Sequence, residues 1–209
     1  MLNIEQIASR SFALLSYIIT DKDSGECFII DPPSDMNARI DLNALKIKAV
    51  INTHIHPDHI MGNHLFAGKA PILAHADEGG LFQRFANSSM AAVFSSHLPP
   101  KISFTLTEES DLKLGGTEIK VIHTPGHSPG SLCLYWPGNL ISGDTIFIQG
   151  IGRTDIPGGS TVKIKSSIER LLTLPGETIV WPGHSYGEKY SAPINTIRPM
   201  LNHIIRSIR

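Results

Sequence analysis

The chain has 209 residues, of which 41% are apolar and 18% charged, with a formal net charge of -1. This length suits one domain with at most a short appendage, and the composition supports a buried core rather than disorder. A near-neutral balance without a Lys/Arg run argues against a general nucleic-acid partner, and no apolar stretch approaches the roughly 20 residues that span a bilayer. The N-terminus lacks the basic head, apolar centre and small-residue cleavage site of a signal peptide. Cys27 and Cys133 lie in apolar runs without a CxxC pattern, which reads as buried free thiols in a reducing, cytoplasmic compartment.

In chain order, Leu14–Thr20 and Glu26–Ile30 read as two strands around the turn DKDSG. Asp35–Leu45 is a candidate helix before the short strand Ala49–Ile51. His54–His59 then falls on a loop past a strand end. Ile60–Phe66 can start a short helix, Pro71–Ala74 reads as a strand, and Asp77–Phe94 as a helix broken around Asn87-Ser88-Ser89. Thr117–Ile122 alternates polar and apolar residues. Ser131–Tyr135 and Leu140–Ile141 flank the turn Trp136-Pro137-Gly138-Asn139. Thr161–Leu174 is an amphipathic helix that Ser160 can cap. Thr178–Trp181 is a final core strand, and Ala192–Ile208 a terminal helix with Pro199 near its start or at a kink. Strands occur in both halves, with helices outside: two layers of strand between two of helix.

Ten histidines are many for this length, and several cluster behind strand ends. The segment Thr53-His54-Ile55-His56-Pro57-Asp58-His59 holds four candidate ligands within six residues. Alternate side chains can point one way, so His54 and His56 can share one ion while Asp58 and His59 face a second. His127 follows the bend Thr124-Pro125-Gly126, Asp144 follows a strand in SGDTIF, and His184 lies in WPGHSYG. Neutral imidazoles and carboxylates suit Zn²⁺, Fe²⁺ or Mn²⁺. Three imidazoles leave one position open for water, and a carboxylate with two oxygens can bridge two ions. A structural metal site would be closed by four ligands, which suits this set less well.

The segment THIHPDH resembles the THxHxDH signature of the metallo-β-lactamase superfamily, and HTPGHSPGS, GDTIF and the final PGH resemble its later motifs in the same order, over about residues 14–184. The resemblance implies the four-layer αββα fold, two mixed sheets packed between helices, over a single domain 1–209 whose residues 186–209 form a short helical tail. It implies two divalent ions, zinc with iron or manganese as alternatives: His54, His56 and His127 on the first, Asp58, His59 and His184 on the second, Asp144 bridging. Class B β-lactamases usually lack this full set. The stretch GDTIFIQGIGRTDIPGGS is similar to short relatives of hydroxyacylglutathione hydrolase (glyoxalase II), without the helical C-terminal domain that supplies much of the glutathione site.

The function implied is a metal-dependent thioesterase that attacks a small anionic thioester with a metal-bound hydroxide, in a monomer or homodimer with no nucleic-acid or membrane partner. Asp58, Arg153 and Tyr186 are its candidate catalytic residues. Arg153 can face a substrate carboxylate or pair with Asp155; Tyr186 can donate to substrate or pack at the rim. Alternatives are a persulfide dioxygenase holding one iron, a lactone or other ester hydrolase, and a metallo-nuclease. Phe147 stands where the lactonases often place a tyrosine. His123 is expected to support the TPGH bend through a hydrogen bond, and His75 to be structural.

Overall fold

The computed structural model of the chain describes residues 1–186 and 189–208, with the side chain of Phe82 outside what is described. Short strands with apolar residues buried on both faces build the first half. Strands β1 (Leu2–Ala8), β2 (Leu15–Asp21), β3 (Glu26–Ile30), β4 (Lys46–Ile51), β5 (Ile72–His75) and β6 (Ser103–Leu106) form one sheet in chain order. The pairs β1/β2 and β2/β3 are antiparallel, whereas β3/β4, β4/β5 and β5/β6 are parallel. Tyr17, Ile19, Phe28 and Ile30 point to the inter-sheet core. Their neighbours Ile18, Cys27 and Ile29 point the other way, under Met36, Leu42 and Phe66.

The second sheet is built from β7 (Leu112–Leu114), β8 (Thr117–His123), β9 (Leu132–Trp136), β10 (Asn139–Gly143), β13 (Ile179–Pro182) and β14 (Ala192–Pro193), in the order β14-β13-β10-β9-β8-β7. Only β10/β13 is parallel. A small ribbon, β11 (Ile146–Phe147) and β12 (Gly150–Ile151), follows β10. Leu112, Leu114, Ile119, Val121, Leu132, Leu134 and Trp136 face the first sheet. On the outer side, α3 (Thr161–Leu171) buries Ile164, Ile168 and Leu171, and α4 (Ile194–Ser207) buries Ile197 and Leu201. The helices of the other half are the single turn α1 (Pro57–Ile60) and the long α2 (Leu81–Ser95). The expected αββα architecture with two mixed sheets is therefore present, and Cys27 and Cys133 are free and buried.

Several expectations differ from the structure. Asp35–Leu45 forms only a 3-10 turn, Met36–Ala38; beyond it Asn43 N–H donates to Asp41 Oδ1 at 3.0 Å, and such a local turn competes with helix. The short helix expected at Ile60–Phe66 is shifted: α1 covers Pro57–Ile60, so Asp58 and His59 lie on a helical turn that Pro57 starts, and Asn63–Phe66 is a 3-10 turn. Helix α2 runs unbroken through Asn87-Ser88-Ser89 but starts only after Gly79-Gly80. Ser160 caps α3 as expected, its Oγ accepting from Lys163 N–H at 3.3 Å. In α4, Pro199 sits past the first turn. Of the tail expected over 186–209, positions 187, 188 and 209 lie outside the described residues. Strands β1, β6, β7, β11 and β12 match no expected strand, and β14 takes the first two residues of the expected helix Ala192–Ile208.

Candidate metal centre

Each predicted ligand stands just beyond the C-terminal end of a strand. His54, His56, Asp58 and His59 follow β4, His127 follows β8, Asp144 follows β10 and His184 follows β13. The parallel pairs β3/β4 and β10/β13 send their ends to the same edge, and cross-links lock the two halves there. Leu15 N–H donates to Gly183 O at 2.8 Å, and Leu132 N–H to Thr53 O at 2.9 Å. At Gly143 (φ +47) a side chain would meet Thr53 Oγ1 at 2.6 Å, so glycine alone accepts both this backbone conformation and the approach of the first loop.

All seven predicted ligands converge. Three groups each bring their donor atoms within 4.8 Å of one another: His54, His56 and His127; Asp58, His59 and His184; and, between them, His54, His59 and Asp144. His56 Nδ1 lies 2.8 Å from His127 Nε2, and His59 Nε2 3.2 Å from His184 Nε2. Asp144 reaches both sides: Oδ2 is 3.5 Å from His127 Nε2 and 3.3 Å from His184 Nε2, and Oδ1 is 3.4 Å from His59 Nε2. Two nitrogens bound tetrahedrally at about 2.0–2.1 Å from one zinc stand about 3.3 Å apart. His54 Nε2 and Asp144 Oδ1 are buried without a hydrogen-bond partner. Orphaned polar atoms at such a point of convergence fit a bound cation.

A second set of contacts aims these rings. Thr53 Oγ1 gives its proton to Asp31 Oδ2 at 2.6 Å and so accepts from His54 Nδ1 at 3.2 Å, which leaves the His54 Nε2 lone pair inward. His59 Nδ1 donates to Asp31 Oδ2 at 2.9 Å, His127 Nδ1 to Arg153 O at 2.8 Å, and His184 Nδ1 to Phe12 O at 2.8 Å. Donation by one ring nitrogen fixes the tautomer and raises the basicity of the other. Asp31, buried at the end of β3, was not singled out in the sequence; its one signal is an acid closing an apolar strand before Pro32-Pro33.

The two groups titrate in opposite directions. Burial, aided by neighbouring imidazoles, holds His54 well below the ordinary histidine value and brings His56 to about 4; burial lowers His127 as well. For His59 burial works downward too, but Asp31, Asp144 and Asp58 outweigh it and lift the ring to about 9. His184 is lifted against burial to about 11 by Asp144 and Asp58. Asp58 and Asp144 are held low by His59 and His184 although burial opposes this.

A cleft of about 590 Å³ opens onto the ligands. Ala86, Asn87 and Met90 of α2 form one wall, Ile156 and Pro157 face them, and Arg153 and Tyr186 stand at the mouth. Arg153 is exposed and makes two bonds to Asp155, at 2.8 and 2.9 Å. Tyr186 is 51% exposed; its ring stacks on His184 (5.1 Å, 8°) and meets Phe147 edge-on (5.1 Å, 89°). His123 Nε2 bonds Pro129 O at 2.9 Å, tying down the chain just past His127, and the ring stacks on His75 at 4.0 Å. These two form a further group with Asp77, but His75 Nδ1 already accepts from Asp77 N–H at 3.1 Å, so both rings are engaged with backbone.

A sequence model of the metallo-beta-lactamase superfamily matches residues 12–184. A probable metallo-hydrolase of Methanocaldococcus jannaschii is 33% identical over 182 residues, which cover 81% of this chain and 86% of that protein. A hydroxyacylglutathione hydrolase of Maricaulis maris is 31% identical over 197 residues, covering 88% of this chain and 69% of the hydrolase. The fold is similar to the crystal structure of BLEG-1, a B3 metallo-beta-lactamase, with TM-score 0.78, 29% identity, and 97% of this chain and 99% of that one covered. The matched span contains every residue of the ligand groups, and the chain belongs to the metallo-beta-lactamase superfamily, with the ligand clusters of its metal-dependent hydrolases.

Proposed function

We propose that the chain is a two-metal hydrolase that cleaves a small acyl thioester, or a closely related carboxylic ester, in the cleft beneath α2. The observation that carries the proposal is the pair of ligand groups on either side of one carboxylate, Asp144. His54, His56 and His127 would hold one divalent ion, zinc, iron or manganese; Asp58, His59 and His184 would hold the other. Bound divalent ions would supply at such a site a water with a pKa of about 7 and a Lewis acid for the carbonyl oxygen.

The chain's own groups do the rest. Asp58 is the more open of the two carboxylates, 20% exposed against 8% for Asp144. In this reading Asp58 orients the attacking water while serving as a ligand. A leaving thiol, with a pKa near about 8.5, needs little acid assistance. Tyr186, at the cleft mouth, is in position to donate to the substrate. The pair between Arg153 and Asp155 is exposed and screened by solvent, so Arg153 can exchange Asp155 for a substrate carboxylate at small cost. The Maricaulis maris relative, by its name, hydrolyses a hydroxyacyl thioester of glutathione, and this supports the thioester as the first substrate class to test.

The experiment is a substrate panel on metal-loaded protein: a hydroxyacylglutathione, neutral acyl thioesters, a lactone, a β-lactam, a phosphodiester, and a persulfide with oxygen uptake recorded. Thioester or ester turnover that stops on chelation and returns with metal is expected. Oxygen uptake on the persulfide, or phosphodiester or β-lactam cleavage, without ester hydrolysis would overturn the proposal.

A further inference from the structure

Glu78 belongs to neither ligand group. It lies in the turn between β5 and α2, fully buried. Ser128 Oγ donates to its Oε1 and stands 2.7 Å from Ser131 Oγ, which accepts from Ser128 N–H at 3.0 Å. Its second oxygen, Oε2, is buried without a hydrogen-bond partner. Ser128 follows His127, and Gly130 closes the same bend. A side chain from the first half of the chain thus meets the bend that carries His127 in the second half.

The surroundings are built for this approach. A Cβ on Gly130 would lie 2.6 Å from Glu78 N and 2.9 Å from its Cγ, so glycine lets the bend close on Glu78. Glu78 itself is tied down: its N–H donates to His75 O at 3.1 Å, and its carbonyl accepts from Arg84 Nε at 2.7 Å. Arg84 in turn lies 3.7 Å over the ring of Phe104. Burying a carboxylate is costly, and a well-packed apolar side chain of similar volume would often be as stable or more so. Stability alone therefore gives poor reason for an acid here, whereas contact with the bend that carries a ligand gives a direct one.

We infer that Glu78 is a positioning residue for the metal centre, holding the His127 bend against the β5–α2 turn and so fixing where the His127 imidazole meets those of His54 and His56. The inference rests on the reading that these imidazoles bind metal.

Cobalt(II) is a suitable probe, because its visible absorption reports ligand geometry and its titration reports affinity. Glu78→Ala, Glu78→Gln and Ser128→Ala are compared with the parent chain in the metal-free, folded state, with near-ultraviolet circular dichroism and Tm measured in parallel. For Glu78→Ala an affinity loss of about 10- to 100-fold at the three-histidine group is expected, the range for outer partners of metal ligands, with altered visible bands. Glu78→Gln, which keeps a hydrogen-bond acceptor, is expected to recover most of the loss, and Ser128→Ala to weaken binding by several-fold. A folded Glu78→Ala protein with parental cobalt spectrum and affinity, changed only in Tm, would overturn the inference. If Glu78→Ala does not fold, parental spectrum and affinity in Ser128→Ala would do so. A parent chain that binds no cobalt would refute the metal-site reading instead, a separate and recognisable result.

Discussion

His54, His56 and His127 are held below the ordinary imidazole range, whereas His59 and His184, facing them across Asp144, are held above it. Both groups are buried, and burial pushes both the same way. The difference comes from carboxylates: Asp31, Asp58 and Asp144 crowd the second group, while the first is surrounded mainly by other imidazoles. In the metal-free chain the first group therefore offers free nitrogen lone pairs at neutral pH, and the second carries protons that a cation must expel. One site can thus be filled ahead of the other, in an order set by pH.

The largest test of this contrast is removal of the shared carboxylate. Asp144→Ala is expected to reduce metal-dependent turnover by more than about 100-fold, above the range for losing an outer partner, because it takes a donor from both groups. Turnover and metal stoichiometry measured together check this; loss of only one ion with activity retained would show that the groups work independently.

The next effect is pH dependence. Loading the second group at pH 7.5 should release up to two protons, from His59 and His184, so its affinity should rise with pH by up to about 100-fold per unit until pH approaches the value of about 9 at His59. The first group should release almost none, with affinity nearly flat above the value of about 4 at His56. Calorimetry in buffers of different ionisation enthalpy separates the two. The same shifts govern stability of the metal-free chain. His59 and His184 have raised folded pKa values, so their contribution is full below the unfolded value near 6.5 and is lost as pH rises through about 9 and about 11. For the depressed His54, His56 and His127 the sign reverses, and stability falls as acid charges them. The two effects meet at the unfolded value, so the metal-free protein should be most stable at about pH 6.5 and lose stability on either side, as Tm against pH will show.

The smallest of the three concerns Asp31. Asp31→Asn removes charge beside His59 while keeping an acceptor for Thr53 N–H, which bonds Asp31 Oδ1 at 2.8 Å. It should weaken the second ion by about 10- to 100-fold and the first much less. Equal weakening of both ions would mean that Asp31 acts by holding the loop, not by its charge.

Asp31 also shows where sequence reading stops. The ligands His54, His56, Asp58 and His59 are close neighbours along the chain, and His127, Asp144 and His184 each sit in a short motif, so the set could be named before any fold was known. Asp31 and Glu78 gain their roles only from topology: β3 lies parallel beside β4, which brings Asp31 to Thr53 and His59, and the β5–α2 turn meets the distant His127 bend. In the sequence both look like turn chemistry, beside Pro32-Pro33 and Gly79-Gly80. The same limit applies to secondary structure. Strong amphipathic patterns such as that of α3 were legible, while the edge strands β1, β6, β7 and β14 draw their definition from a partner strand. At Asp35–Leu45 the local turn at Asp41 overrode a weak helical pattern.

Metal content per chain, by elemental analysis of protein purified without added metal or chelator, tests the two-metal account most directly. Close to two zinc, iron or manganese ions is predicted, falling to a single ion held by the three histidines after gentle chelation at low pH. One iron per chain and no second ion even at high pH and excess metal would contradict it, and would leave Asp58, His59 and His184 as partners around a single-metal centre.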